Sequence, residues 1–358
     1  MGYDSNIKSS RAEKRQRLTL MVAIVGLSLA SIIAVNFLRR SRSTNAATTK
    51  NNVSQHLQLA IANKKQQQQQ QQQGHDKVVI SSDNNDNNKH LRTAIKNDIT
   101  QLSDLEKETA LEVSELELRV RSIKKTGIIM ETDKESLALT SELQDATRAL
   151  IKLRYGDFDP VKHPTPYRIK MDLEFQSTIP DFVEKGKDGT VVIELAPISL
   201  IPYSVYNFLE IARTWKKGAF HRNAGHVLQA IARSDVTQSM PFQEYSRKYP
   251  HKKYTVGYAG RPSGPEFYIS IQDNTDAHGP GSQQKHNPYE ADCIIGTVIQ
   301  GVEDGTVARI HTMPGKEFLS DKNKWVWIRR MHILVPKDDG SSDEYVTFSS
   351  SPLVIPDD

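Results

Sequence analysis

The sequence predicts a mainly β domain carried behind a membrane anchor, a polar linker and a helical segment. Three observations carry this prediction. Residues 189–229 read as strand, turn, helix, loop and strand, and residues 167–175 alternate apolar and polar. Residues 18–38 form a run of 21 without a charge. The spacing of apolar residues over 91–153 is helical. Over its 358 residues the chain is 37% apolar with a mean hydropathy of -0.54, so a good part of it lacks core-forming composition. The net charge is +4, and much of the basic excess flanks the N-terminal apolar run; it is not a nucleic-acid footprint. A single cysteine, Cys293, excludes an intramolecular disulfide, and its apolar neighbours suit a buried structural thiol.

At about 1.5 Å per residue, a helix over 18–38 spans about 30 Å, the thickness of a bilayer core. The apolar core of a cleaved signal peptide is shorter, about 7–15 residues. Lys8, Arg11, Lys14, Arg15 and Arg17 precede the span, while Arg39, Arg40 and Arg42 follow it. The bias favours a cytoplasmic tail over 1–17 and a type II single-pass protein of the endoplasmic reticulum or Golgi, with a lumenal C-terminal domain. Asn52-Val53-Ser54 is a glycosylation sequon on the lumenal side. Residues 39–90 include eight glutamines, Gln66 to Gln73, and an Asn/Asp run; this composition predicts a disordered linker.

Residues 91–155 are expected as a helical stalk. Ile99, Leu102, Val113, Leu116, Val120 and Ile123 form one apolar series, and Leu139, Leu143, Ala146, Leu150 and Leu153 form another, with Gly127 as a break between them. Two arrangements fit: a parallel coiled coil giving a homo-oligomer through 91–153, or a helical hairpin packed on itself.

The folded domain is placed at 160–336, after a proline-punctuated boundary, with a loose acidic tail over 337–358. Thr190 to Leu195 is a β-branched run ended by Ala196-Pro197. Pro202 suits a first helical turn, and Val205, Phe208, Leu209 and Ala212 give that helix one apolar face. A second strand begins at Ala219 and carries Phe220-His221-Arg222. A polar insertion follows at 234–253, then strands near 254–260, 266–270 and 294–300. Trp325-Val326-Trp327-Ile328 and Ile333-Leu334-Val335 are expected to close the sheet, the two tryptophans on one strand face as barrel packing.

The order V-V-I-E-L-A-P, P-x-S-V-x-N-F-L, G-A-F-H-R and then Gln229 resembles the cyclophilin family of peptidyl-prolyl isomerases, as does I-I-G-T-V-I-Q-G-V-E-D-G at 294–305. The resemblance runs from about Tyr167 to about Pro336. It implies a closed eight-stranded antiparallel β-barrel with two capping helices and a groove for proline-containing polypeptide segments. It makes Arg222 the catalytic residue and puts substrate contacts at Phe220, His226, Val227, Gln229, Glu266, Tyr268, Asn287 and Asp292. Several of these depart from the family pattern. Six residues separate Arg222 from Gln229 instead of seven. His226 and Val227 stand where the family has Phe and Met, Glu266 replaces a Gln, and Asp292 and Asn287 replace His and Trp. Tyr268 keeps an aromatic wall.

Rotation about an X–Pro bond is slow because amide conjugation sets a barrier of about 18–20 kcal/mol. Its catalyst needs no cofactor, metal or nucleophile. It needs an apolar seat for the ring and a fixed donor that favours the twisted amide, a role suited to a permanently charged, planar guanidinium. The more acidic groove leaves open a second possibility, a non-catalytic binding module on the same barrel. His278, His286, His311 and His332 show no metal-binding spacing, and no G-x-S-x-G elbow is present.

Overall fold

The computed structural model describes residues 84–123, 128–130, 132–282, 287, 289–315, 317–337 and 344–349. The expected membrane span at 18–38 and the linker up to residue 83 lie outside the described residues. Among the described residues, no helix is long and apolar enough to cross a membrane. The chain falls into two compact units, one of Met1–Glu108 with Leu353–Asp358, the other of Thr109–Pro352. In the first unit the described residues belong to the start of helix α1 (Asn84–Ile123). That helix begins inside the stretch expected as linker; Asn and Asp are favoured at helix starts, so the polar run there does not exclude one.

The second unit is a closed antiparallel β-barrel with helices on it. Its strands are β1 (Arg168–Glu174), β2 (Asp188–Leu195), β3 (Lys217–Asn223), β4 (Val227–Arg233), β5 (Thr255–Tyr258), β6 (Phe267–Ser270), β7 (Ile294–Gln300) and β8 (Val326–Pro336). They run around the barrel in the order β1-β2-β7-β5-β6-β4-β3-β8, and β8 returns to β1. A ninth strand, β9 (Tyr345–Thr347), pairs with the end of β8 beyond the closure. Part of the stretch expected as a loose tail is therefore a strand, and Phe348 after it packs edge-on against Tyr155 at 5.1 Å. The two closing strands expected near 325 and 333 are one strand of 11 residues.

Alternation along the strands sets the core. In β1, Ile169, Met171 and Leu173 point inward, as the odd-numbered apolar positions require. Val191, Ile193 and Leu195 of β2, Phe220 of β3, Phe267 and Ile269 of β6, and Val326 and Ile328 of β8 share that interior. Helix α3 (Pro202–Arg213) packs against β7 and β8, and α4 (Thr306–His311) against β2. Pro202 occupies the first turn of α3, where its missing N–H costs no hydrogen bond.

Helix α2 (Lys134–Tyr155) lies on α3. Its Leu139, Leu143, Leu150 and Ile151, together with Val113, Leu116 and Val120 of α1, belong to the same buried cluster as the barrel residues. The middle of each apolar series expected for a stalk is thus buried within the second unit, while Ile123 at the end of the first is exposed and Ile99 and Leu102 belong to the first unit; the second unit begins about fifty residues before the boundary expected at 160. Buried carboxylates join its parts. Glu210 of α3 accepts from Arg154 and from Tyr155 Oη of α2, each at 2.6 Å, and from Arg213 Nε at 3.0 Å. Glu244, in the insertion at 234–253, accepts from the free N–H groups of Tyr203 and Ser204 at the start of α3, at 3.3 and 2.6 Å, and from Gln144 Nε2 of α2 at 2.6 Å. A carboxylate at a helix start also meets the positive end of its dipole. The insertion is a packed arm with Met240, Phe242, Glu244 and His251 buried.

Candidate functional site

The site is built on one lateral row of the barrel's outer face. Phe220 pairs with Ala230 but Arg222 pairs with Gln229, so His221 is an extra residue in β3. Such a bulge re-aims the residues beside it. Phe220 stays in the core, with its ring 6.2 Å from Phe267, while Arg222 turns outward. Gln229 pairs in turn with Tyr268 of β6, and Tyr268 with Gly257 of β5. Side chains of cross-strand partners share a face, so Arg222, Gln229 and Tyr268 form a line that ends over Gly257. A Cβ at Gly257 would lie 2.7 Å from Tyr268 Cζ and Oη. Glycine is needed there for the ring to lie flat on β5.

At one end, Arg222 Nη1 donates to Gln229 Oε1 at 3.2 Å, and Gln229 Nε2 donates to Glu266 Oε2 at 2.7 Å. The ring of Phe318 lies against the guanidinium, with Arg222 Cζ 4.5 Å from the ring centroid. Phe318 also meets His221 edge-on at 5.2 Å, and His221 meets Trp325 at 5.9 Å. Two bonds fix this loop: Leu319 N–H to His221 O at 2.9 Å, and Trp325 Nε1 to Leu319 O at 2.8 Å. The His221 ring, 3.6 Å away, and the bond from Gln229 hold Glu266 below the usual carboxylate range despite its partial burial.

At the other end lies a buried polar cluster. Asp292 accepts from Tyr268 Oη at 2.9 Å, Arg261 Nε at 2.6 Å and His278 Nδ1 at 2.5 Å. Arg261 also pairs with Glu290 and donates to Ser282 Oγ at 2.9 Å. The His278 ring stands 4.9 Å from Tyr268, 5.3 Å from His226 and 5.8 Å from His251. Burial tends to raise the pKa of Asp292, but the bonds from His278 and Arg261 outweigh it and the net direction is down. His251 is pushed down to about 4, chiefly by burial, and His226 is also lowered, chiefly by burial. A cavity of about 440 Å³ opens behind His251, between Tyr249 and Gly281, on residues other than the Arg222 row.

The expected site residues fall in several places. Arg222, Gln229, Glu266 and Tyr268 come together in the row. Asp292 joins it directly through Tyr268 Oη, and His226, at the β3–β4 turn, joins it through His278. Val227 is buried at the start of β4. Asn287 accepts Tyr289 N–H at 3.1 Å within its own loop. Phe220 is a correction: the bulge at His221 leaves it fully buried in the barrel, with no surface for a substrate. The tryptophans also differ from expectation. Val326 and Ile328 face the core, while Trp325 and Trp327 lie on the outer side, 5.3 Å apart and only partly buried. Phe318, Arg261 and His251 reach the site on loops and His278 at the end of a four-residue helix, Thr275–His278, and none carries a motif that could have placed it there.

Among the described residues, no group of three His, Cys, Asp or Glu is placed to hold a metal ion. Cys293 is fully buried, and burial pushes its thiol up to about 12. No protein-family model matches the chain, and no curated protein matches it.

Proposed function

We propose that this chain is a membrane-anchored peptidyl-prolyl cis-trans isomerase of the cyclophilin type, acting on X–Pro bonds of secretory-pathway proteins. A closed antiparallel barrel with two helices packed on it agrees with that family. The observation that carries the proposal is the pairing of Arg222 with Gln229 on the outer face of the barrel. Gln229 holds the guanidinium from one side and Phe318 covers its plane, so the donor is oriented before a substrate arrives. A donor fixed in this way stabilises the amide as it twists out of conjugation, and it needs no reorganisation at that moment. The span at 18–38 and its basic flanks support a type II topology with the barrel in the lumen of the endoplasmic reticulum or Golgi. Glycosylation of Asn52, read as a shift on endoglycosidase treatment, tests that topology.

A second reading, proline-segment binding without isomerisation, is favoured by one observation. The cluster of Asp292, Arg261, His278 and Tyr268 stands where an apolar seat for the proline ring is expected, and a ring gains less from a polar seat than from an apolar one. Isomerisation of a short X–Pro peptide by the full chain in detergent micelles, beside Arg222→Ala, separates the two. Isomerase activity lost in the variant supports catalysis. Binding of the peptide with no rate above the variant sinks catalysis and leaves the binding module. Absence of both overturns the proline reading.

A further inference from the structure

Glu266 and Phe318 both meet His221, the residue before Arg222. Glu266 has a third of its side chain exposed, and only its Oε2 is engaged, by Gln229 Nε2 at 2.7 Å and His221 Nε2 at 3.6 Å. Oε1 has no partner among the described residues. A carboxylate accepts about four hydrogen bonds, so Oε1 can take a further donor. Phe318 is 55% exposed although it is anchored. One side of its ring takes the Arg222 guanidinium, its edge takes His221, and the flanking bonds of Leu319 and Trp325 hold the loop. Both residues meet His221, so an unpaired acceptor and an apolar wall lie beside one buried ring. Arg222 is the donor in the same row.

From this we infer that the site prefers segments with a lysine or arginine next to the proline. The proline carbonyl faces Arg222, the aliphatic stem of the basic side chain lies on Phe318, and its cation takes Glu266 Oε1. Long basic side chains suit this arrangement because they present an apolar stem and a charged tip. An acidic residue at the same place meets the unpaired carboxylate and is disfavoured. The inference rests on the proline-binding reading above and adds the class of substrate to it.

The test uses the full chain in detergent micelles and three fluorescent peptides that differ only before the proline, with Lys, Gln or Glu. Anisotropy titrations at about 50 mM and about 500 mM salt are expected to show the Lys peptide at least about fivefold tighter than the Glu peptide, with the gap narrowing in high salt. Glu266→Gln removes the Lys preference and Glu266→Asp keeps part of it, with thermal melts of both confirming the fold. Phe318→Ala weakens the Lys peptide more than the Gln peptide, because the stem loses its wall. Equal binding of all three peptides, or a Lys preference that survives Glu266→Gln, overturns the inference while proline binding stands. Binding of none of them overturns proline binding and the inference together.

Discussion

At the scale of single residues, the site depends on a bulge, a glycine and a planar cation. Arg222 is aimed by the extra residue in β3 and held between Gln229 and Phe318. Lysine keeps the charge but has neither the planar face that Phe318 covers nor the fork that Gln229 orients. Arg222→Lys is therefore expected to reduce isomerisation of an X–Pro peptide by about 100-fold, as misplacement of a reacting group does. A rate within a few-fold of the parent would show that charge alone suffices. Gly257→Ala drives a methyl into the Tyr268 ring. It is expected to cost about 1–3 kcal/mol in urea unfolding and to weaken peptide binding as the ring lifts. Unchanged stability would mean that Tyr268 moves away freely.

At the scale of elements, two buried carboxylates tie the helices to the barrel. Glu244 links the arm at 234–253 to the first turn of α3 and to α2. Its replacement by alanine leaves the N–H groups of Tyr203 and Ser204 buried without an acceptor, and a loss of about 2–4 kcal/mol is expected in chemical unfolding. Glu244→Gln keeps one acceptor and is expected to lose less. Glu210 has three side-chain partners, Arg154, Tyr155 and Arg213, and removing it takes the carboxylate away from Arg154, which is largely buried beside it. Glu210→Ala is expected to cost about 3–5 kcal/mol, and a loss below about 1 kcal/mol would mean that water or another carboxylate replaces it.

At the scale of the molecule, α2 belongs to the folded unit. A chain begun at residue 109 is expected to be soluble, with one cooperative unfolding transition. One begun at 160 exposes the side of α3 that α2 covers and is expected to aggregate or melt markedly earlier. Equal melting temperatures of the two would show that α2 adds nothing. Stability should also fall on the acid side. The folded-state value of His251 lies below its ordinary 6.5, at about 4, so its contribution is present above pH 6.5 and is lost as pH falls toward 4, a change of about 2–3 kcal/mol. Burial tends to raise Glu210, but the bonds from Arg213, Arg154 and Tyr155 outweigh it. Its contribution is likewise present above its ordinary value and is lost as pH drops through its lower folded value. Glu244, which burial pushes up, offsets part of that loss, because the fold holds a proton on it more readily than the unfolded chain does. Unfolding free energies measured at several pH values should show this slope, and His251→Gln should flatten its upper part; an unchanged slope in that variant would remove His251 as its source.

The sequence by itself determined the strands whose side chains alternate or run apolar, the helix at Pro202, the buried Cys293 and the presence of Arg222, Gln229, Glu266 and Tyr268. These follow from local periodicity and from residues that sit close to one another along the chain. Only the tertiary structure decided which of them meet. The bulge that buries Phe220 and frees Arg222 changes the register of one strand against another, which no single segment encodes. His251, Arg261 and Phe318 arrive on loops and His278 on a helix of one turn, where no period constrains the direction of a side chain. Of the apolar series expected over 99–123 and 139–153, Val113, Leu116 and Val120 and Leu139, Leu143, Ala146 and Leu150 are buried on a helix face, but period alone does not name the partner of a face. Here that partner is the folded unit itself, because the outer side of α3 is apolar enough to need covering and Glu210 and Glu244 supply the bonds that hold the cover in place.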